Sequence, residues 1–310
     1  MKRIGLWLSL VLASLVPAAA QVTVEVSQGQ DQFLPGEALR TVVRVINRSG
    51  QSLSLGAEDN WLTFSVENRD GGVVPKVSEV PVTGAFVLPS SKTAVKRVDL
   101  APYFSFGQAG RYQVTATVRI PTWSNEVTSD PRYFDIVGGT QLWEQDFGVP
   151  PTNGAPQGTP EVRRYILQQA NYLKGQLRLY LRVMAASGRP VRVVPIGPMF
   201  SVSRPQPRVD SLSNLHVLYQ NGASSYSYTV FNPDGKLLTR QTYDYVDLHP
   251  RLNVDEEGKV VVAGGVRRET ASDYPPSPAP ASAETASPNP SAETDAKPAS
   301  PPDDATTAKP

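Results

Sequence analysis

Histidine occurs twice in 310 residues, at His216 and His249, and cysteine not at all. The lack of cysteine removes disulfide staples, thiolate metal sites, a cysteine nucleophile and a lipid-modified N-terminal cysteine. Imidazole is then the main side chain left to titrate near neutrality. His216 stands between Leu215 and Val217 and points away from their face, and His249 precedes Pro250. Both placements suit a surface or turn histidine better than a general base or a metal ligand. No Gly-x-Ser-x-Gly elbow, His-Glu-x-x-His pair or phosphate-cradling glycine loop is present. Asp255-Glu256-Glu257-Gly258 lacks the alternating oxygen ligands and distal glutamate of a calcium loop, so a hairpin turn accounts for it better. No metal and no cofactor are expected. Asp210, Asp234, Asp244, Asp247 and Asp255 could bring two carboxylates to one sheet edge. Most lie at turns, where aspartate serves the backbone. A non-enzymatic protein is therefore the expectation, with a carboxylate-pair hydrolase the less favoured reading.

Aromatic residues make a better case for binding. Tyr219, Tyr226, Tyr228, Phe231, Tyr243 and Tyr245 cluster in sequence, and Tyr226 and Tyr228 share one strand face. Such a strip stacks on sugar rings or anchors a protein, and it also serves as ordinary cross-strand packing. Trp123 sits in the Pro- and Asn-marked loop Ile120-Pro121-Thr122-Trp123-Ser124-Asn125, where a tryptophan is a possible binding anchor. Trp123, Tyr226, Tyr228, Tyr243 and Tyr245 are thus the candidate ligand contacts.

The elements that must position these residues read as β throughout. From Gly110 to Ile120 the alternation is unbroken, with Tyr112, Val114, Ala116, Val118 and Ile120 on one face. Arg111, Gln113, Thr115, Thr117 and Arg119 take the other, which is the period of a half-buried strand. Before it, strands are expected at Val22–Val26, Leu39–Ile46 and Leu62–Val66, then near Gly84–Leu88 and Ala94–Leu100; Tyr133–Val137 follows it. Turn signals such as Pro35-Gly36 and Asn68-Arg69-Asp70-Gly71-Gly72 separate them. This rhythm, with Gly110-Arg111-Tyr112 opening a late strand, resembles bacterial immunoglobulin-like and fibronectin-type modules over residues 22–138. The resemblance implies a sandwich in which the Tyr112 hydroxyl bonds backbone at a corner while its ring packs in the core, with Gly110 and Tyr112 as structural residues. Gln108 and Val114 stand where the family has aspartate and cysteine. Trp61 is out of phase with Leu62, Phe64 and Val66, so it is not expected as the core tryptophan.

Gly138-Gly139 closes this domain, taken as 21–139, and a Pro/Gly-rich linker is expected over 140–160. Within the linker, Leu142–Gly148 carries Trp143 and Phe147 in a loop expected to pack between domains. Residues 161–186 fit two periods. Ile166, Ala170, Leu173, Leu177, Tyr180 and Met184 have helical spacing, whereas Leu177, Leu179, Leu181 and Val183 alternate. Lys174-Gly175 suits a hairpin turn, which favours strands. Further on, Pro207-Arg208-Val209-Asp210 recurs as Pro250-Arg251-Leu252-Asn253, each followed by a turn and a strand. Between the copies Tyr226–Phe231 turns at Asn232-Pro233-Asp234-Gly235. Gly235 and Gly258 are read as structural turn glycines. A period in the low forties resembles β-propeller blades over roughly 160–266. The stretch is too short to close a propeller, so an open antiparallel meander is expected over 161–268.

The ends complete the reading. Lys2 and Arg3, an apolar run from Ile4 to Val16 and Ala18-Ala19-Ala20 form a secretory signal peptide over 1–20. The run is shorter than the about 20 residues that span a bilayer, and no later stretch is long enough. From 269 to 310 the chain is rich in Pro, Ala, Ser and Thr and is expected to be a disordered tail. The formal charge of +1 argues against nucleic acid as partner. Taken together, the sequence reads as an all-β, exported, periplasmic or extracellular protein. Its expected partner is an envelope protein, with an envelope polysaccharide as the alternative.

Overall fold

The computed structural model describes residues 21–123, 125–150, 161–172, 175–200 and 203–276. The expected signal peptide, Ser124, residues 151–160 of the expected linker and residues 277–310 of the tail lie outside them. The chain is all-β, built from several antiparallel sheets. Among the described residues no helix is long and apolar enough to cross a membrane.

The first ten strands are β1 (Val22–Gln28), β2 (Gln32–Phe33), β3 (Arg40–Asn47), β4 (Leu53–Leu55), β5 (Leu62–Asn68), β6 (Phe86–Leu88), β7 (Thr93–Asp99), β8 (Gly110–Ile120), β9 (Asn125–Thr128) and β10 (Arg132–Ile136). One sheet runs β1-β3-β7 and another β2-β10-β8-β5, with β9 added to β8 and β2 parallel to β10. The alternation of β8 explains the packing: Tyr112, Val114, Ala116, Val118 and Ile120 are all buried. They meet Val22, Val24, Val43 and Val45 from the facing sheet in one core. Burial of each larger aliphatic side chain here is worth about 1.5–3 kcal/mol. The Tyr112 hydroxyl donates to Gln108 O at 2.7 Å, and its ring stacks on Phe134. Trp61 corrects the expectation drawn from its phase: it is 3% exposed, donates Nε1–H to Val82 O at 2.6 Å and meets Phe86 edge-on. It precedes β5, so the two-residue period of that strand does not govern where its side chain goes.

Residues 140–148 also differ from expectation. They form a strand, β11 (Thr140–Gly148), rather than the start of a linker. It pairs with β12 (Val162–Tyr172), which continues through β13 (Gln176–Ala185) to β14 (Pro190–Met199) as a four-stranded meander. The competing helical spacing loses because Gly175, at φ +75°, turns the chain between β12 and β13. Phe147 is buried and stacks on Tyr165 at 3.9 Å, so β11 is anchored in this sheet's own core.

A second meander, β15 (Gln206–Val209), β16 (Leu215–Gln220), β17 (Ser225–Phe231) and β18 (Leu237–Asp244), packs face to face on the first. Tyr165, Leu167, Leu179, Leu181 and Val183 meet Leu215, Val217, Tyr219 and Phe231 between them. The meander topology is the expected one, with the sheets stacked as layers. The two sequence copies part company here: the first forms the β15–β16 edge, the second a separate ribbon of β19 (Arg251–Val254) and β20 (Val260–Ala263). After β20 the chain turns at Gly264-Gly265, both at positive φ, and returns as β21 (Val266–Arg268) against β18. Residues 269–276 continue the ordered fold, correcting the expectation of a tail from 269. Arg240 and Tyr274 exchange backbone hydrogen bonds, and Arg267 pairs with Asp273. The exchange satisfies backbone groups that a solvated tail would leave to water.

The turn Leu34–Glu37 docks on the outer face of the first meander, where Leu34, Ala170, Tyr180 and Val193 form a small core. Glu37 is buried there, accepting from Leu34 N and Gln30 Nε2. Burial raises its carboxyl pKa above the ordinary value, against the lowering effect of those bonds and of Arg178.

Candidate functional site

The residues singled out for chemistry converge on the outer face of the second meander. In β16 and β17 the two-residue period sends Leu215, Val217, Thr229 and Phe231 inward and His216, Leu218, Tyr226, Tyr228 and Val230 outward. The register places Tyr226 opposite Tyr243 of β18. This outer face is roofed by the ribbon, through Leu252, Val260 and Val262. Tyr226 and Tyr228 are consequently only 8% exposed each.

Polar side chains of this meander are linked in hydrogen-bonded ladders. Asp210 Oδ1 accepts from the Leu212 and Asn214 amides at 2.9 and 2.7 Å, closing the β15–β16 turn. Its Oδ2 accepts from Asn214 Nδ2 and lies 3.1 Å from His216 Nε2. Burial would raise the Asp210 pKa, but hydrogen bonds from Asn214 and His216 outweigh it, and the net shift is downward. An ionised carboxylate can only accept, so Nε2 carries the proton in the neutral ring. Nδ1 then accepts from the Tyr228 hydroxyl, 2.7 Å away. The second histidine is held similarly: Tyr226 Oη lies 3.0 Å from His249 Nδ1, and the His249 ring stacks on Tyr245 at 3.9 Å with 2° between planes. Tyr243 meets Tyr228 edge-on and donates to Gln241 Oε1 at 3.0 Å, with Arg267 over its ring.

Asp210–His216–Tyr228 has the connectivity of a nucleophile-activating relay, yet its terminus is a phenol. Burial, then the nearby Tyr243 and Asp210, push the Tyr228 pKa up to about 12. The Tyr228 phenol is protonated at neutral pH and serves as the hydrogen-bond donor to His216 Nδ1. Of the turn carboxylates, Asp234 pairs with Arg163 and Asp244 with Arg268. Among the described residues no group of three or more His, Cys, Asp or Glu is arranged to hold a metal ion.

The structure thus brings four of the five candidates, Tyr226, Tyr228, Tyr243 and Tyr245, to one face and leaves Trp123 apart. Trp123 lies in a short helical turn after β8, half-buried against the first core. Gly235 and Gly258 sit at the turns at φ +70° and +80°, where Asn232 and Asp255 side chains accept from the turn amides. Sequence reasoning missed a polar groove of about 480 Å³ beside Asp210, between β15 and the ribbon. Gln145, Gln206, Arg208 and Ser211 line it. Gln206 Oε1 accepts from Leu252 N at 2.9 Å, stitching one sequence copy to the other. The repeat itself was the available signal, since its copies lie side by side. Also missed were exposed apolar side chains after β18: Val246 and Leu248 are 59% and 69% exposed, and Val266, whose neighbour across the ladder is Asp244, is 55% exposed.

No family model matches this chain, and no curated protein matches it. Among solved structures, it is similar to the crystal structure of Spo0M, a sporulation control protein from Bacillus subtilis. The identity is 11% and the TM-score 0.27, over 57% of this chain and 89% of that one.

Proposed function

We propose that this chain is an exported, non-enzymatic binding or scaffolding protein of the cell envelope that acts through protein–protein contacts. The observation that carries the reading is the contrast on the second meander. His216 spends both ring nitrogens in internal hydrogen bonds to Asp210 and Tyr228, while Val246 and Leu248 stand out in solvent. The exposed apolar side chains of this loop, beside the Tyr245–His249 ring stack, support reading it as a contact surface.

Reading residues 21–139 as an immunoglobulin-like module supports the same conclusion. The β1-β3-β7 and β2-β10-β8-β5 orders have the pattern of that fold's two sheets, and Tyr112 bonds backbone at the corner. Export rests on the basic start, apolar run and Ala-x-Ala site of the first 20 residues. A glycan-binding alternative is favoured by one observation only, the 37% exposure of Tyr245 beside its histidine stack.

The test is retention from solubilised envelope on the immobilised chain, wild type against Val246→Asp/Leu248→Asp. A stoichiometric protein kept by the wild type and lost by the double variant is the expected result. Polysaccharide retained without protein, and lost on Tyr245→Ala, would replace this reading with the glycan one.

A further inference from the structure

The first sandwich leaves a strand edge open beside an apolar slot. Among the described residues β7 pairs with β3 only. Asn47 N donates to Lys92 O and Leu100 N to Leu39 O, so the even-numbered residues of β7 bond to β3. The amides and carbonyls of Thr93, Val95 and Arg97 therefore face outward, with no backbone partner among the described residues. β7 contains no proline to block pairing. Across the gap lies the irregular run to Gly84, and between the two is a slot of about 200 Å³ floored by Val45 and Trp61 and walled by Phe86, Ala94 and Lys96. Gly84 also lines the slot, and a Cβ built on it meets nothing within 4 Å.

Register tells what would fit. Ala94, Lys96 and Val98 lie opposite the buried Val45, Val43 and Thr41, so they share the core-facing side of the sheet. The side chain of Lys96 reaches out from there only to Thr83 O at 3.4 Å. Neither Lys96 nor Arg97 has a carboxylate partner among the described residues. A strand added to this edge would alternate its side chains in the same way. One would enter the slot over Trp61, and the one two residues along would meet the Lys96 ammonium.

We propose that β7 is a docking edge for an extended segment of another polypeptide that carries an aliphatic residue and, two positions away, an aspartate or glutamate. Main-chain hydrogen bonds to Thr93, Val95 and Arg97 supply affinity, and the slot and Lys96 supply selectivity. An inward-facing charge at an edge repels a purely apolar strand. It also disfavours a second copy of this chain, because antiparallel self-pairing about Lys96 would set like charges opposite each other. The inference rests on the reading of the chain as a protein-binding module, but it concerns a surface apart from the Val246–Leu248 loop.

The experiment is fluorescence anisotropy of the full chain with two labelled nonapeptides, Thr-Thr-Thr-Leu-Thr-Glu-Thr-Thr-Thr and its reverse, since strand direction is open. One should bind, and replacing its Glu by Lys should weaken it about fivefold. Lys96→Glu should invert that preference. Val95→Pro should abolish binding while leaving the β3 pairing whole, because the Val95 amide points outward. Hydrogen exchange should show Thr93, Val95 and Arg97 amides protected in the complex. The proposal is overturned if neither peptide binds at millimolar concentration, or if binding is indifferent to Val95→Pro and Lys96→Glu. It is equally overturned if sedimentation shows β7-dependent self-association instead. If the peptides fail while the wild-type chain still retains an envelope protein through Val246 and Leu248, this edge is wrong and the binding function stands.

Discussion

Two tyrosines with the same exposure carry different energetic weight. Tyr228 donates to a buried histidine, whereas Tyr226 shares a hydrogen bond with His249, which is exposed. Tyr228→Phe strands a buried acceptor and is expected to cost about 1–3 kcal/mol. Tyr226→Phe lets water replace the lost partner and is expected to cost under about 1 kcal/mol. Urea unfolding of the two variants decides it, and equal losses would mean that the ladder through His216 has no special role. Asp210 adds a pH signature. Its folded pKa lies below the ordinary value, so between the two pKa values the unfolded chain binds more protons and stability rises with pH. The contribution is complete above the unfolded carboxylate pKa and is lost as pH falls through the folded one. Glu37 has the opposite sign, since its folded pKa is raised: its carboxyl favours the native state in acid and loses that advantage as pH rises. Asp210→Asn should flatten the acid limb of the stability profile and Glu37→Gln should steepen it. A profile unchanged by both would contradict these assignments.

At the level of the element, the ribbon β19–β20 decides whether the tyrosine face is interior or surface, and the Gly264-Gly265 turn decides where the ribbon lies. A Cβ at Gly265 would stand 2.5 Å from Pro250 Cγ and 3.0 Å from Asp244 O, on a backbone at φ +69°. Gly265→Ala is therefore expected to lift the ribbon, with protease cleavage between 254 and 260 and stronger iodide quenching of tyrosine fluorescence. An unchanged digest would show that the turn tolerates the added methyl group. Elements with a sustained period were legible in the sequence: β8 by its ten-residue alternation, and β12–β13 by Leu177–Val183 with Gly175 between them. The misread elements were those whose pairing is set from elsewhere. β11 has mixed polarity because it lies at an edge, mostly exposed, and Trp61 precedes its strand. Tyr274 is held by Arg240, a partner that no local pattern of the 269–276 segment names. The candidate site was half legible for the same reason. Alternation put Tyr226 and Tyr228 on one face, but nothing local says that a hairpin folded from later residues covers that face.

For the whole molecule, the layers divide the labour. The stacked meanders bury their one relay-like cluster, and the first sandwich keeps an unfilled edge at β7. Between them, the Leu34–Glu37 turn is seated on Tyr180 and Val193, with Arg182 donating to Pro35 O at 2.9 Å and Arg178 to Gln30 Oε1 at 3.2 Å. That junction is a small apolar core rimmed by charge-assisted bonds, and it fixes the sandwich to the meanders without contributing to either candidate surface. In the proposed function the chain meets a protein through its exposed loop while its tyrosine face stays inside. The most direct measurement is site-specific photocrosslinking in the intact envelope, with the photoreactive residue placed at Leu248 or at Tyr226. The expected result is a discrete protein adduct from position 248 and none from position 226. An adduct from 226 with none from 248, or a polysaccharide adduct at either, would contradict the account.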